Sequence, residues 1–190
     1  MNDTYHTNNE RQRYVQKSGK AWEDFVLHEV NAGLKTLNSS LKVIHGKSVS
    51  KDSLLWNKLA IPVGKQKKIW GDIDLVVVDT QNNPIAIISC KTSLHGRFSE
   101  TLFYAIVLKN INKELKIVFA TPDKGRQHKK GEWKSEWGTE EKPTKDRSLG
   151  SFYLNGVYIA NKNTSLGGMI KSLEQLPIDL EKWAKSNPVE

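Results

Sequence analysis

The chain has 190 residues, a length typical of one domain with its own hydrophobic core. Hydrophobic residues make up 37% and charged residues 26%, which argues against a disordered chain and against a membrane-embedded one. Twenty-nine Lys and Arg against 21 Asp and Glu give a net charge of +8, a balance that favours polyanionic partners such as nucleic acid.

The apolar runs LVVV at 75–78 and IAII at 85–88 are too short to span a bilayer. Residues 1–20 have no apolar core of the kind that a signal peptide needs, so we expect a cytoplasmic protein without a membrane partner. Cys90 is the single cysteine, which excludes an internal disulfide and a cysteine-based zinc cluster.

Residues 1–17 are polar and without periodicity, and we expect a loose, flexible arm or a short helix there. From Gly19 to Leu37 apolar residues recur every three or four positions, which predicts an amphipathic helix. A short strand is expected at 41–45, and the stretch 56–62 fits a strand or a loop equally.

The clearest structural prediction is an antiparallel hairpin. Two β-rich runs, IWGDIDLVVVD and IAIISCK, flank the turn-forming residues QNNP. A register that pairs Val78 with Ile85 across this turn is the simplest one.

Five further elements are predicted along the rest of the chain. Periodicity indicates a helix near 97–110, a strand at 115–122 and another strand at 152–161. The charged stretch 123–150 is expected to be an extended basic surface loop. A last helix, kinked or divided by its proline, is predicted over 167–186.

This order of elements predicts one α/β domain over residues 1–190, in which helices flank a mixed β-sheet.

The hairpin brings acidic and basic side chains together. Side chains two apart on a strand share a face, so Asp72 and Asp74 point the same way, as do Ser89 and Lys91. In the expected register Asp74 lies opposite Ser89, and Asp72 lies opposite Lys91. Acids and lysines are also common at solvated strand ends, so a purely structural role is the alternative.

Such a cluster suits phosphodiester hydrolysis. Carboxylate oxygens are the natural ligands of Mg²⁺, which neutralises the charge that develops on the phosphate. A nearby lysine orients the attacking water and stabilises the transition state.

The sequence GDIDLVVVD followed by ISCKTS resembles the PD-(D/E)xK nuclease superfamily, especially type II restriction endonucleases. The resemblance covers roughly residues 19–121 and implies a restriction-endonuclease-like core. Asp74 matches the family aspartate, Asp72 is the competing assignment, and Lys91 matches the family lysine.

The sequence departs from the family pattern at Ser89, where an Asp or Glu is usual. Some restriction enzymes similarly have Ser-x-Lys and recruit a carboxylate from the next helix, which makes Glu100 the candidate here. Glu23, on the first helix, resembles an acid that many members carry, although an exposed surface position is the alternative. The resemblance therefore implies catalytic Asp74, Lys91, Glu100, Glu23 and Asp72. It further implies one or two Mg²⁺ ions held by Asp74, Glu100 and Glu23.

The expected DNA contacts follow the lysine or lie in the 123–150 region, where basic and polar side chains can bind phosphate or read bases. They are Ser93, His95, Arg97, Arg126, Gln127, His128, Lys129, Lys130, Trp133 and Lys134. Trp133 and Trp137 are both candidates to stack against bases.

The resemblance implies a Mg²⁺-dependent type II restriction endonuclease that cleaves double-stranded DNA at a short sequence. One site cuts one strand, so double-strand cleavage calls for a homodimer or a partner subunit. Two alternatives stay open: a structure-selective repair or recombination nuclease of the same superfamily, and a non-catalytic DNA-binding module, which Ser89 favours.

Overall fold

The computed structural model describes residues 3–94, 97–127 and 133–186. Two helical layers enclose a six-stranded mixed sheet, which confirms the predicted α/β architecture.

The described helices are α1 (Asp3–Thr36), α2 (Leu54–Leu59), α3 (Phe98–Ile111), α4 (Lys145–Tyr153) and α5 (Leu176–Ser186). The described strands are β1 (Lys42–His45), β2 (Ile61–Val63), β3 (Lys67–Ile69), β4 (Leu75–Val78), β5 (Pro84–Cys90), β6 (Lys116–Thr121), β7 (Arg126–Gln127), β8 (Trp133–Lys134), β9 (Gly156–Ile159) and β10 (Ile170–Ser172). None of these helices is long and apolar enough to cross a membrane.

The central sheet has the strand order β1-β4-β5-β6-β9-β10. β1, β4 and β5 pair antiparallel, whereas β5, β6, β9 and β10 run parallel. The inner strands are buried on both faces, and accordingly they read as nearly continuous runs of Val, Ile and Ala. Small β2–β3 and β7–β8 hairpins stand outside this sheet.

The predicted β4–β5 hairpin is present, with Leu75 opposite Ile88 as the expected register requires. A bulge next to the turn then pairs Val78 with Pro84 instead of Ile85. The bulge lies beside the turn and not at the opposite end of the hairpin, so the predicted pairing is preserved where β4 begins and β5 ends.

Each face of the sheet has its own hydrophobic core. Helices α1 and α5 cover one face, and α2, α3 and α4 cover the other. On α1 the buried stripe includes Val26, Val30 and Leu34, as the periodicity predicted. The backbone of α1 begins at Asp3, well before Gly19, so the predicted short helix and the amphipathic helix are continuous.

Two predictions for short segments were wrong. The stretch 56–62 belongs mainly to helix α2, whose first turn is capped by the hydroxyl of Ser53. The last helix begins at Leu176 and not at 167, and Pro177 lies in its first turn, where a missing N–H costs nothing.

The described residues of the 123–150 region form more regular structure than expected. They form the β7–β8 hairpin and helix α4. Trp137 is fully buried, and its ring meets those of Phe98 and Phe119 edge-on at 5.3 and 5.7 Å. The expectation that Trp137 stacks on bases is therefore wrong, because its indole is part of the core.

We expect Trp137→Ala to lower the free energy of unfolding by about 3–5 kcal/mol, because it removes a fully buried aromatic side chain. The matched control is Trp133→Ala, which changes a partly exposed tryptophan of the same region and should cost about 1 kcal/mol or less. Urea unfolding followed by circular dichroism measures both. Equal losses would contradict the assignment of Trp137 to the core.

Candidate active site

Asp72, Asp74 and Lys91 meet at the end of the sheet where β4 begins and β5 ends. The side chain of Lys91 is only 5% exposed, and its Nζ lies 2.7 Å from Asp72 Oδ2 and 3.1 Å from Asp74 Oδ2. The predicted juxtaposition is thus found in the structure. We refer to these three residues as the Asp-Lys cluster.

Asp74 is held by the backbone as well as by the lysine. Its Oδ2 accepts a hydrogen bond of 2.7 Å from the Cys90 N–H, and the Ser89 hydroxyl lies 3.5 Å away. The carbonyl oxygen of Asp74 accepts the Gly46 N–H at 2.8 Å. The carboxylate is therefore anchored to β5 and its main chain is anchored to the end of β1.

Two glycines make room for the chain that carries the acids. A Cβ on Gly46 would lie 2.0 Å from the Ile73 carbonyl oxygen, a distance that no side chain can adopt without moving the backbone. A Cβ on Gly71 would lie 2.9 Å from the Tyr104 ring of α3. The position of the segment before β4 thus depends on close contacts that only glycine permits.

Burial and charge act in opposite directions on the cluster. Burial raises the pKa of the Asp74 carboxyl, and the attraction of Lys91 offsets this only in part. Burial by itself would lower the pKa of Lys91. The negative charges of Asp74 and Asp72 have the larger effect, so the pKa of Lys91 is raised above its usual value. Lys91 is therefore a protonated hydrogen-bond donor at neutral pH.

The donor set fits a magnesium ion. Two carboxylates converge on one ammonium group, so their oxygens lie close together and face a positive charge. Mg²⁺ is commonly bound by one or two carboxylates, with waters and substrate phosphates completing its shell. Among the residues that the structure describes, no third His, Cys, Asp or Glu side chain joins these two carboxylates in a metal-binding group. Of the two carboxylates, that of Asp72 is exposed to solvent.

A buried hydroxyl pair lies at Ser89, where the sequence departs from the pattern that it resembles. Ser89 Oγ lies 2.8 Å from Thr101 Oγ1, and both side chains are buried. This contact attaches the first turns of α3 to β5 beside Asp74. Sequence reasoning missed Thr101, since its contact depends on how α3 packs on the sheet.

Neither of the two proposed supporting acids has a hydrogen bond or ion pair with the cluster among the described residues. Glu100 precedes Thr101 on α3 and is exposed, and no hydrogen bond or ion pair within the described chain joins it to Asp74 or Lys91. Glu23 is half-buried on α1, but its Oε1 lies 2.5 Å from His45 Nδ1. Sequence reasoning missed this contact with His45.

The predicted DNA contacts fall on two segments. Ser93 and Arg97 lie between β5 and α3, where Ser93 is half-buried and Arg97 is exposed. Arg126, Trp133 and Lys134 are exposed on the β7–β8 hairpin. The predicted contacts that lie outside the described part of the chain are His95, His128, Lys129, Lys130 and the side chain of Gln127.

Buried Asp123 fastens the base of this hairpin, and sequence reasoning did not single it out. Its carboxylate accepts hydrogen bonds from the Ser135 hydroxyl at 2.6 Å, the Thr164 hydroxyl at 2.5 Å and the Glu136 N–H at 3.0 Å. The side chain of Asn161 donates to its carbonyl oxygen. Because β5 and β6 are parallel and Asp123 follows β6, the hairpin leaves the sheet at the same end as the Asp-Lys cluster.

A mixed sheet between helices, with two acids and a lysine at the end of a central hairpin, defines a nuclease of the restriction-endonuclease type. Residues 46–179 match the family described as BsaWI restriction endonuclease type 2, and the chain belongs to this family. The matched region contains the whole Asp-Lys cluster. No curated protein matches the chain.

Lys91→Met should raise the pKa of the Asp74 carboxyl further, because the nearest positive charge is lost while burial remains. Carbon-13 NMR titration of the aspartate carboxyls in the metal-free protein measures this shift. Asp79 is the internal control: burial opposes its ionisation, but hydrogen bonds from Asn83 and Gln81 outweigh this and lower its pKa. An unchanged Asp74 pKa would show that Lys91 does not act on it.

Gly46→Ala should lower both stability and nuclease activity, with activity falling about 100-fold, because the new Cβ displaces the chain that precedes Asp74. The control is Gly19→Ala, where the added methyl group meets nothing within 4 Å and favours the helix. Thermal unfolding and plasmid cleavage are compared for both variants. Full activity of Gly46→Ala would contradict the close contact.

Proposed function

We propose that this protein is a Mg²⁺-dependent endonuclease that cleaves double-stranded DNA at a short recognition sequence. The observation that carries the proposal is the convergence of Asp72 and Asp74 on Lys91 within 3.1 Å at the end of the sheet where β4 begins and β5 ends. Membership of a type 2 restriction endonuclease family supports it.

Asp74 and Asp72 would hold the metal. Bound Mg²⁺ supplies Lewis acidity for the scissile phosphate and lowers the pKa of water. The Cys90 N–H keeps the Asp74 carboxylate oriented before any ion arrives, so less ordering is needed on binding. Because the ion would attract both carboxylates, it would compete with the Lys91 ammonium for their oxygens.

Lys91 would act as a charged hydrogen-bond donor beside the phosphate. Its raised pKa keeps the ammonium charged, and its nearly complete burial strengthens its interaction with developing negative charge. In this role it stabilises the transition state and orients the attacking water by hydrogen bonding. It does not need to lose its proton for either function.

Duplex DNA would lie across the end of the sheet that carries the Asp-Lys cluster. Exposed Arg97, Arg126 and Lys134 provide charge for phosphates, in keeping with the net charge of +8. The β7–β8 hairpin, with Trp133 on it, would approach the bases. This hairpin would recognise the DNA base sequence, because Asp123 anchors it at its base.

The direct test incubates the protein with plasmid and genomic DNA, with Mg²⁺ or with a chelator, and sequences the ends produced. Ends that share one short sequence support the proposal. Random ends, or cleavage confined to branched DNA, would favour a structure-selective nuclease. Binding without any cleavage would favour a non-catalytic DNA-binding module.

Asp74→Asn and Lys91→Met should each lower the cleavage rate by at least about 100-fold, because one removes a metal ligand and the other removes the buried ammonium group. Rates are measured under single-turnover conditions at saturating Mg²⁺. Asp79→Asn is the control, since this acid lies in the turn at the opposite end of the hairpin. Wild-type rates in both site variants would refute the site assignment.

The contributions of Glu23 and Glu100 to metal binding can be compared by measuring the Mg²⁺ concentration that cleavage requires in variants of each. We expect Glu23→Gln to raise this concentration about tenfold, because Glu23 is half-buried and contacts His45, whose neighbour Gly46 donates a hydrogen bond to the Asp74 carbonyl oxygen. Glu100→Gln should have less effect, because Glu100 is exposed. The reverse order would assign the supporting acid to α3.

A further inference from the structure

Strand β1 supports the Asp-Lys cluster although it carries none of its side chains. It is an edge strand of the central sheet and pairs antiparallel with β4, with His45 opposite Leu75. The next residue, Gly46, donates its N–H to the Asp74 carbonyl oxygen at 2.8 Å. A displacement of the end of β1 would therefore move the main chain that carries the Asp74 carboxylate.

Helix α1 holds this edge strand through its side chains. In the middle of β1, the Asn31 side chain accepts the Val43 N–H and donates to the Val43 carbonyl oxygen, each at 3.0 Å. His45 and Val43 point to the same face of the sheet, because side chains two apart on a strand share a face. Val43 packs in the core that α1 covers, so the His45 side chain also lies against α1.

The imidazole of His45 lies between two acids of α1. Its Nδ1 is 2.5 Å from Glu23 Oε1, and its Nε2 is 3.2 Å from Asp24 Oδ1. The Glu23 side chain is 18% exposed, whereas that of Asp24 is 39% exposed. Lys47, at 3.9 Å from the same Glu23 oxygen, is mostly exposed and contributes little. An ionised carboxylate only accepts hydrogen bonds, so the contact with Glu23 depends on a donor at the Nδ1 position.

We propose that His45 is a positioning residue for Asp74. Its contact with Glu23 keeps the end of β1 in place, and the Gly46 N–H in turn holds the Asp74 main chain while the carboxylate binds metal. Among the described residues no hydrogen bond or ion pair joins His45 to the Asp-Lys cluster, so its effect passes through Gly46. The effect on metal binding rests on the proposed function, whereas the effect on Gly46 does not.

Amide hydrogen exchange in the metal-free protein tests the link to Gly46 without any cleavage. His45→Ala should speed exchange of the Gly46 N–H at least about tenfold more than it speeds exchange in β6, because the end of β1 loses its attachment to α1. Lys171→Met is the matched control. Lys171 and Asp179 form an ion pair of similar burial between β10 and α5, and β10 is the opposite edge of the sheet from β1. A Gly46 N–H that responds equally in both variants, or in neither, would overturn the proposal.

Two amide replacements separate the hydrogen bond from the bulk of the side chain. In His45→Asn the new amide nitrogen can take the place of Nδ1 and keep the contact with Glu23, whereas in His45→Gln it reaches the place of Nε2. We expect the Mg²⁺ concentration that cleavage requires to stay within about threefold of wild type in His45→Asn and to rise about tenfold in His45→Gln. The Lys171→Met control should keep the wild-type requirement. Equal effects of the two replacements, or the reverse order, would refute the role of the Glu23 contact.

A double variant tests whether Glu23 acts through His45. Glu23→Gln combined with His45→Ala should need no more Mg²⁺ than His45→Ala alone, because the two side chains act as one unit. Additive effects would show that Glu23 reaches the metal independently of His45, which contradicts the proposal.

Failure of the proposed function can be told apart from failure of this inference. A wild type that cleaves no DNA would refute the nuclease, and the exchange of the Gly46 N–H would then decide the link from His45 by itself. Fast exchange at Gly46 together with a wild-type Mg²⁺ requirement in His45→Ala would contradict the positioning role and leave the nuclease intact.

Discussion

The structure around the site depends on one buried lysine shared by two carboxylates. Lys91 is neutralised by Asp72 and Asp74, and a buried ammonium without such partners would be strongly disfavoured. The backbone N–H of Cys90 fixes Asp74 from the neighbouring strand, while Gly46 fixes its main chain from the other side. The charged groups of the cluster are thus held in place by β1, β4 and β5. The hydrophobic cores on both faces of the sheet keep these strands from moving.

The same end of the sheet brings three elements together for different tasks. The β4–β5 hairpin carries the Asp-Lys cluster, α3 supports it through Thr101, and the connection after β6 supports the β7–β8 hairpin. Because β5 and β6 run parallel, the segments that follow both strands must emerge side by side. Strand direction therefore accounts for the closeness of the segments proposed to be catalytic and DNA-facing, independently of the particular side chains on them.

The hairpin and its register were predictable because strand alternation and turn residues are local signals, and they placed Asp74 and Lys91 together. Contacts that depend on packing between distant segments were not. His45 meets Glu23 only because α1 crosses the end of β1, and Trp137 is buried despite the charged residues around it. Ile170 matched a helical repeat, but pairing with Val157 on β9 makes it part of a strand. In these places packing between distant segments outweighed the local pattern. Such packing cannot be detected from the local pattern of a single sequence.

The attachment of the β7–β8 hairpin through Asp123 has an evolutionary consequence. Its anchors are residues of the neighbouring loops, Ser135 and Thr164 among them, and none of them belongs to the Asp-Lys cluster. Substitutions at exposed hairpin positions such as Arg126 and Lys134 can therefore accumulate while the anchoring carboxylate and the Asp-Lys cluster stay as they are. If the hairpin reads the target as proposed, a lineage of such proteins can diversify its target preference by drift in this one segment while the proposed hydrolytic groups are inherited unchanged.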